Sequence, residues 1–251
     1  MQKFICNTIV GNAMTEPSHK SELHTQLLFH DYVEKTGEEN GVWSKVKLLY
    51  DGTEAWVLTA MLTTTNLNFS KKTHSVIGDN MSYINHGEFI FESVGGMIVP
   101  TIMIDEDFLD DEIAFPTELL NPVEYEAELM HFNRAPYMWG GVTHLGIDCS
   151  GLVKMFFRLQ GIFLPHDASK QFELGEMLPF IQNIKIGDVA FFENSNGEID
   201  HVGIMMSHKE IMHASEMNGK VVIDFMDQEG IINKRTTRRT HKLKALKRFL
   251  L

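Results

Sequence analysis

Tyr137-Met-Trp-Gly-Gly-Val-Thr-His-Leu-Gly-Ile-Asp-Cys-Ser-Gly-Leu-Val153 is the stretch on which the reading of this chain turns. One of only two cysteines, Cys149, stands there between an acid and a hydroxyl, after a glycine-rich approach and directly before an apolar run. From Ser150 to Gln160 that run carries Leu152, Val153, Met155, Phe156, Phe157 and Leu159, and Gly161 supplies a stop. The pattern predicts a buried helix with Cys149 in its first turn. The partial positive charge of a helix N-terminus favours a thiolate over a thiol. A nucleophilic cysteine also needs a base that is remote in sequence and adjacent in the fold. Histidines in Asp200-His-Val-Gly-Ile204 and Ile211-Met-His-Ala-Ser215 are the candidates.

Composition narrows the classes. A chain of 251 residues, 43% hydrophobic, is long enough for two or three units with real cores. A formal net charge of −12 argues against nucleic acid as the main partner. Eight of the 22 Lys and Arg residues fall between 234 and 248, where no acid occurs. We read Lys242-Leu-Lys-Ala-Leu-Lys-Arg-Phe-Leu250 as a closing edge strand whose charges deter edge-to-edge pairing, in preference to a membrane or nucleic-acid patch. Two cysteines are too few for a disulfide scaffold, and a Cys6–Cys149 bridge would consume the nucleophile, so both thiols are expected to be free, as in a reducing compartment. Met1-Gln-Lys-Phe-Ile-Cys6 lacks the apolar stretch of a signal peptide and no segment approaches a spanning helix; a cytoplasmic protein with no membrane partner is the expectation.

Up to about residue 65 short β-like runs alternate with turns: Thr25–Phe29, Asp31–Glu34, Trp43–Tyr50, a turn at Asp51-Gly52, then Ala55–Leu58. Such strands suggest a small barrel. Residues 66–117 repeat the theme through Met81–Ile84, Glu88–Phe91 and Gly96–Pro100, and the acidic stretch Asp105–Glu112 reads as a solvated loop. We therefore expect SH3-like barrels at 1–65 and 66–117 and a third domain at 118–251. A helix should open at Asn121-Pro-Val-Glu124, where Asn121 caps, Pro122 suits the first position and Glu124 completes a capping box. After Ile186 strands are expected at Asp188–Phe192, His201–Met206, Glu210–Ala214 and Lys220–Phe225. Helices followed by an antiparallel sheet make the last domain α+β.

Five ordered blocks, Pro136-Tyr-Met-Trp-Gly-Gly141, Asp148-Cys-Ser-Gly151, Leu164-Pro-His-Asp-Ala-Ser169, Gly187-Asp-Val-Ala-Phe-Phe192 and Asp200-His-Val-Gly203, resemble the NlpC/P60 cysteine peptidases, which act on bacterial cell-wall peptides. The resemblance covers about 119–251 and implies a papain-like domain. The first half resembles the bacterial SH3-type modules that often precede it. Together they are similar to the γ-D-glutamyl-L-diamino acid endopeptidases, also called dipeptidyl-peptidase VI.

On this reading Cys149 attacks an amide carbonyl to form a thioester that water hydrolyses. His201 is general base and then acid. His213 orients His201, matching a position that is polar, often histidine, in the family; His208, its competitor, falls in the intervening turn. No HExxH or CxxC pair exists and His201, His208 and His213 lack helical spacing, so neither metal nor organic cofactor is expected. The Cys149 amide is the natural oxyanion donor, and the resemblance adds the Tyr137 hydroxyl. Core packing is the alternative for Tyr137 and Trp139. Asp148 and Ser150 either cap the helix or, as the family implies, line the subsite for a γ-D-glutamyl unit. Gly140 and Gly141 would let the loop pass close to substrate. Asp167 is a candidate acid for a free peptide amine, and His166 stands where the family often has arginine. In related enzymes the first SH3-type domain restricts the cleft to peptides with a free N-terminal L-Ala. Glu16 is then a candidate amine ligand, or an ordinary solvated acid. Thr53 replaces an expected aromatic, for which Tyr50 and Trp56 are the candidate substitutes.

The expectation is a cysteine peptidase that hydrolyses the γ-D-glutamyl–diamino acid bond of short murein peptides during wall recycling. An exported hydrolase acting on intact stem peptides and an inactive wall- or peptide-binding module are the alternatives.

Overall fold

Runs of short strands punctuated by glycine and asparagine flank a helical middle. A computed structural model of the chain describes residues 2–72, 74–77, 83–86, 89–100, 122–179 and 183–249. They divide into two compact units, Met1–Thr117 with Phe157–Leu164, and Glu118–Phe156 with Pro165–Leu251.

The first unit opens with β1 (Lys3–Cys6), β2 (Val10–Met14), β3 (Leu23–Leu28), β4 (Tyr32–Asn40), β5 (Trp43–Leu48), β6 (Glu54–Leu58) and β7 (Leu62–Thr65). All pair antiparallel in the order β3-β2-β6-β5-β4-β1-β7. Alternation dictates the inner face: Val46 and Leu48 are buried while Lys47 faces solvent. With Cys6, Ala13, Leu27, Val33, Ala55 and Val57 they form the core of a small barrel. The expected Asp51-Gly52 turn is present; Gly52 has φ +74° and the Asp51 carboxylate accepts the Thr53 amide at 2.8 Å. Beyond it, β8 (His74–Val76) pairs with β11 (Ile98–Pro100), and β9 (Tyr83–His86) with β10 (Phe89–Glu92). Of the readings made on the sequence, Met81, Ser82, Glu88, the acidic stretch 105–112, the boundary near 117 and the Asn121 cap lie outside the described residues.

A buried ion pair closes this unit. Arg158 donates through both terminal nitrogens to the Asp31 carboxylate, and through Nε to the Gly96 carbonyl at 2.6 Å. The two side chains are 4% and 1% exposed. Asp31 also accepts the Leu28 amide at 3.0 Å, and the Tyr50 ring lies 5.4 Å from the guanidinium and stacks on Phe163 at 4.8 Å. Tyr50, one of the two stand-ins for the missing aromatic at Thr53, is thus built into the packing of its own unit.

The second unit holds α1 (Pro122–Met130), a short hairpin of β12 (Val142–Thr143) and β13 (Gly146–Ile147), α2 (Cys149–Leu159) and α3 (Ala168–Phe172). The last residues of α2, from Phe157, group with the first unit. Gly161, with φ +72°, ends α2 where the sequence placed its stop; the amides of Gly161 and Ile162 bond the carbonyls of Arg158 and Phe157. Seven strands follow: β14 (Glu176–Leu178), β15 (Val189–Glu193), β16 (Ile199–Met205), β17 (Glu210–Ser215), β18 (Lys220–Asp227), β19 (Gly230–Ile232) and β20 (Arg239–Arg248). Their order is β14-β20-β15-β16-β17-β18-β19, and a further β19–β20 ladder closes strands β15 to β20 on themselves. The edge-strand reading of the basic segment is corrected here. β20 pairs with β15 on one side and with β19 and β14 on the other. Lys242 and Lys244 bond Glu193 on β15 at 2.6 and 2.7 Å, so these charges join neighbouring strands instead of guarding an edge.

Removing one partner of a buried pair leaves the other charge uncompensated, at a cost of about 3–5 kcal/mol. Asp31→Ala should therefore lower stability by about that amount in urea unfolding. Asp31→Ala combined with Arg158→Met should recover much of the loss; a double variant as unstable as the single would show that the ion pair is not the cause.

Candidate active site

The loop before Cys149 and the helix that Cys149 opens are tied together by one carboxylate. Asp148 precedes α2, and its Oδ1 accepts the Gly151 amide at 2.6 Å, an N-cap bond to the third helical residue. The same oxygen accepts the Ser150 hydroxyl at 3.2 Å, while Oδ2 accepts the Gly140 amide at 2.7 Å and His166 Nε2 at 2.9 Å. Burial opposes the charge, but His166 and the two amides outweigh it and hold the carboxyl below its usual range. Asp148 therefore caps α2, one of the two readings the sequence allowed, while Ser150 donates its hydroxyl to that cap and His166 adds an imidazole partner. Gly140, with φ +73°, makes the turn, and a Cβ on Gly151 would lie 2.1 Å from the Gly141 carbonyl oxygen. The glycine at 151 thus serves loop-to-helix packing, and the one at 141 packs against the hairpin, where a Cβ would lie 2.3 Å from the Gly146 carbonyl oxygen.

Cys149 is the first residue of α2, and its sulfur is faced by the amides of Val202, Ser150 and Cys149 itself. The Val202 contact sets the sulfur against the middle of β16, at the residue after His201. Burial pushes the thiol up to about 12, the Asp148 carboxylate adds to the rise, and the three amides offset only part of it. Desolvation thus works against the field at the helix end and favours the neutral thiol. His201 is 7% exposed, and burial, with His213 and His241 nearby, holds its imidazole well below the ordinary value. In the substrate-free site both groups favour their neutral forms.

Strand register assembles the rest. His201 and Met205 share a face of β16, Ile211 and His213 one of β17, and Asp224 and Met226 one of β18. Met205, Ile211 and Met226 belong to one apolar cluster with Ala190, Phe192, Ile231 and Leu246. The polar residues continue that face: His201 Nε2 meets His213 Nδ1 at 2.8 Å, and His213 Nε2 meets Asp224 Oδ2 at 3.3 Å. His208 is exposed in the turn between β16 and β17.

Three contributors escaped the sequence reading. Asp224 could have been found from the alternation Val222, Asp224, Met226, which places an acid on the inner face of a predicted strand. His241 on β20 stacks on His201 with ring centroids 4.0 Å apart and planes at 21°. It was hidden inside the basic run. Gln171 on α3 donates to the carbonyls of Ser150 and Pro165 at 2.9 and 2.8 Å, fixing α3 to the start of α2, and no local signal marks it.

The remaining candidates are placed as follows. Tyr137 is half-buried and bridges Ile147, two residues before Cys149; burial raises its hydroxyl, and the Asp148 carboxylate adds to the rise. Trp139 is 59% exposed, which removes core packing as its explanation. Asp167 bonds Lys170 at 2.7 Å on the rim of α3. Glu16 is an exposed side chain after β2, and Trp56 is half-buried on β6. Among the described residues no group of three or more His, Cys, Asp or Glu side chains is arranged to hold a metal ion, and no helix is long and apolar enough to cross a membrane.

Comparison with known proteins bears on the fold and the domains. Over 90 residues the chain is 34% identical to the gamma-D-glutamyl-L-lysine dipeptidyl-peptidase of Bacillus subtilis, covering 35% of this chain and 30% of that protein. Over 111 residues it is 40% identical to the gamma-DL-glutamyl hydrolase of the same organism, covering 43% and 26%. The matches thus span less than a third of the length of either relative. A solved NlpC/P60 family protein from Bacillus cereus shares the fold across 99% of this chain and 100% of that one, with a TM-score of 0.79 at 17% identity. The sequence profile of the NlpC/P60 family matches residues 134–240, and that of the bacterial dipeptidyl-peptidase SH3 domain matches residues 14–62. This chain therefore carries an NlpC/P60 domain of papain-like fold together with a bacterial dipeptidyl-peptidase SH3 domain.

Proposed function

We propose that the protein is a cysteine peptidase that hydrolyses the γ-D-glutamyl–diamino acid bond of short murein peptides bearing a free N-terminal L-Ala, in cytoplasmic recycling of wall fragments. The observation that carries the chemistry is that the Val202 amide, on β16 directly after His201, faces the Cys149 sulfur, and the His201 ring contacts His213 at 2.8 Å. The substrate rests on the relatives, two of which are named for γ-glutamyl bonds. We also propose that residues 66–117 form a second SH3-like barrel, in keeping with the two antiparallel pairs there.

In this mechanism His201 Nδ1 takes the thiol proton as sulfur attacks the γ-carbonyl carbon. The Cys149 amide and the Tyr137 hydroxyl stabilise the resulting oxyanion. The C–N bond then breaks, the amine leaves with the proton held by His201, and water hydrolyses the thioester. Asp167 is proposed to face the ammonium of the L-Ala.

Incubation with L-Ala-γ-D-Glu-diamino acid peptides and identification of the products tests the assignment. The two products expected are L-Ala-D-Glu and the free diamino acid or the peptide that begins with it. Cys149→Ala should abolish turnover with folding intact, and His201→Ala should lose at least ~10²–10⁴-fold; a parental rate in Cys149→Ala would sink the mechanism.

His213→Gln should retain more activity than His213→Ala, and His208→Ala should resemble the parent. Acetylating the substrate amine should cost about ten- to a hundredfold in kcat/KM, the equivalent of roughly 1.5–3 kcal/mol for a charge-assisted hydrogen bond. Equal cleavage of free and blocked peptides would refute the amine requirement and leave the thiol chemistry standing.

Because the raised thiol is mostly protonated at neutrality, iodoacetamide labelling of Cys149 in the substrate-free protein should climb continuously from roughly pH 6 to 9, with Cys149→Ala as background. A plateau already reached below neutrality would show a preformed thiolate–imidazolium pair instead.

A further inference from the structure

We infer that Asp224 is a positioning residue for the proposed reaction, its carboxylate setting the tautomers of both histidines so that the nitrogen of His201 left for the thiol is the unprotonated one. The inference rests on the reading of Cys149 and His201 given above, and it follows from hydrogen-bond polarity. An ionised carboxylate only accepts. Asp224 is 3% exposed and is met by donors: the Lys234 amide at 2.8 Å to Oδ1, Asn233 Nδ2 at 3.1 Å to Oδ2, and His213 Nε2 at 3.3 Å to Oδ2. Burial opposes its charge, but these donors outweigh burial and hold the carboxyl below its usual range.

His213 must then carry its proton on Nε2. In the neutral ring Nδ1 is left with a lone pair, so the 2.8 Å contact to His201 is made by an Nε2–H of His201. His201 Nδ1 is thereby the free base. With the opposite tautomers a lone pair on His213 Nε2 would face the carboxylate in a buried site, an uncompensated repulsion. The backbone makes the arrangement possible. Val222 is the register partner of His213, and Asp224 lies two residues further along the same face of β18. Lys234 Nζ is engaged elsewhere, with Glu210 at 2.6 Å, and leaves the carboxylate to the histidine and its two neighbours.

The test uses nitrogen-15 NMR of the imidazoles in the intact, substrate-free parent near neutral pH, together with kinetics of Asp224→Asn and Asp224→Ala. The parent should show Nε2–H on both His201 and His213. Asp224→Asn, whose amide can donate to His213 Nε2, should populate the Nδ1–H form of one or both rings. Its kcat should fall on the order of 10²- to 10⁴-fold, the range for a lost base function, with KM within about threefold. Asp224→Ala should also lose kcat. Nδ1–H on His201 in the parent, or a parental kcat in Asp224→Asn, would overturn the inference. The parent spectrum decides the matter even if neither variant folds. Should the parent cleave no γ-glutamyl peptide, the proposed substrate falls while the spectrum still reads the tautomers.

Discussion

Asp148 is the group on which the rest of the site depends. A buried carboxylate is tolerated only when its lone pairs are answered by donors, and here a loop amide, a helix amide, a hydroxyl and an imidazole answer them. Because those donors come from four positions in the chain, satisfying one charge fixes the glycine loop, the start of α2 and the segment before α3 together. The amides around Cys149 are thereby aimed before any substrate arrives, as preorganised oxyanion stabilisation requires. The same carboxylate works against thiolate formation by its charge. The site thus gains geometry from Asp148 at a cost to the thiolate form, and in the proposed mechanism proton transfer to His201 is then the activating step.

The second constraint is the strand pleat. A period of two sends Met205, Ile211 and Met226 to one apolar face and carries His201, His213 and Asp224 onto that face further along the strands. A slip of one residue in β17 would turn His213 away from His201. The closed β15–β20 arrangement resists such a slip, because every strand in it is hydrogen-bonded on both sides. β20 brings the flat ring of His241 against His201 in the same closure. The imidazole is therefore bounded edge-on by His213 and face-on by His241 before any chemistry begins.

Local chemistry made much of this legible in the sequence. The apolar spacing after Cys149 and the left-handed Gly161 delimit α2, and alternation located β15 to β18 to within a residue or two. The two ring-bearing positions 201 and 213 could be named because a short turn must bring their strands side by side. What sequence alone determined was accordingly the local periodicity, the Asp148 cap and the Gly161 stop, since these follow from interactions within a few residues. Only the tertiary structure decided the rest. Whether the basic segment is an edge depends on a β19–β20 ladder, and the role of Asp224 on a diagonal across β17 and β18. The protonation of Cys149 depends on desolvation summed over the whole environment. Each is a sum over residues distant in the chain, and no window of sequence contains the terms.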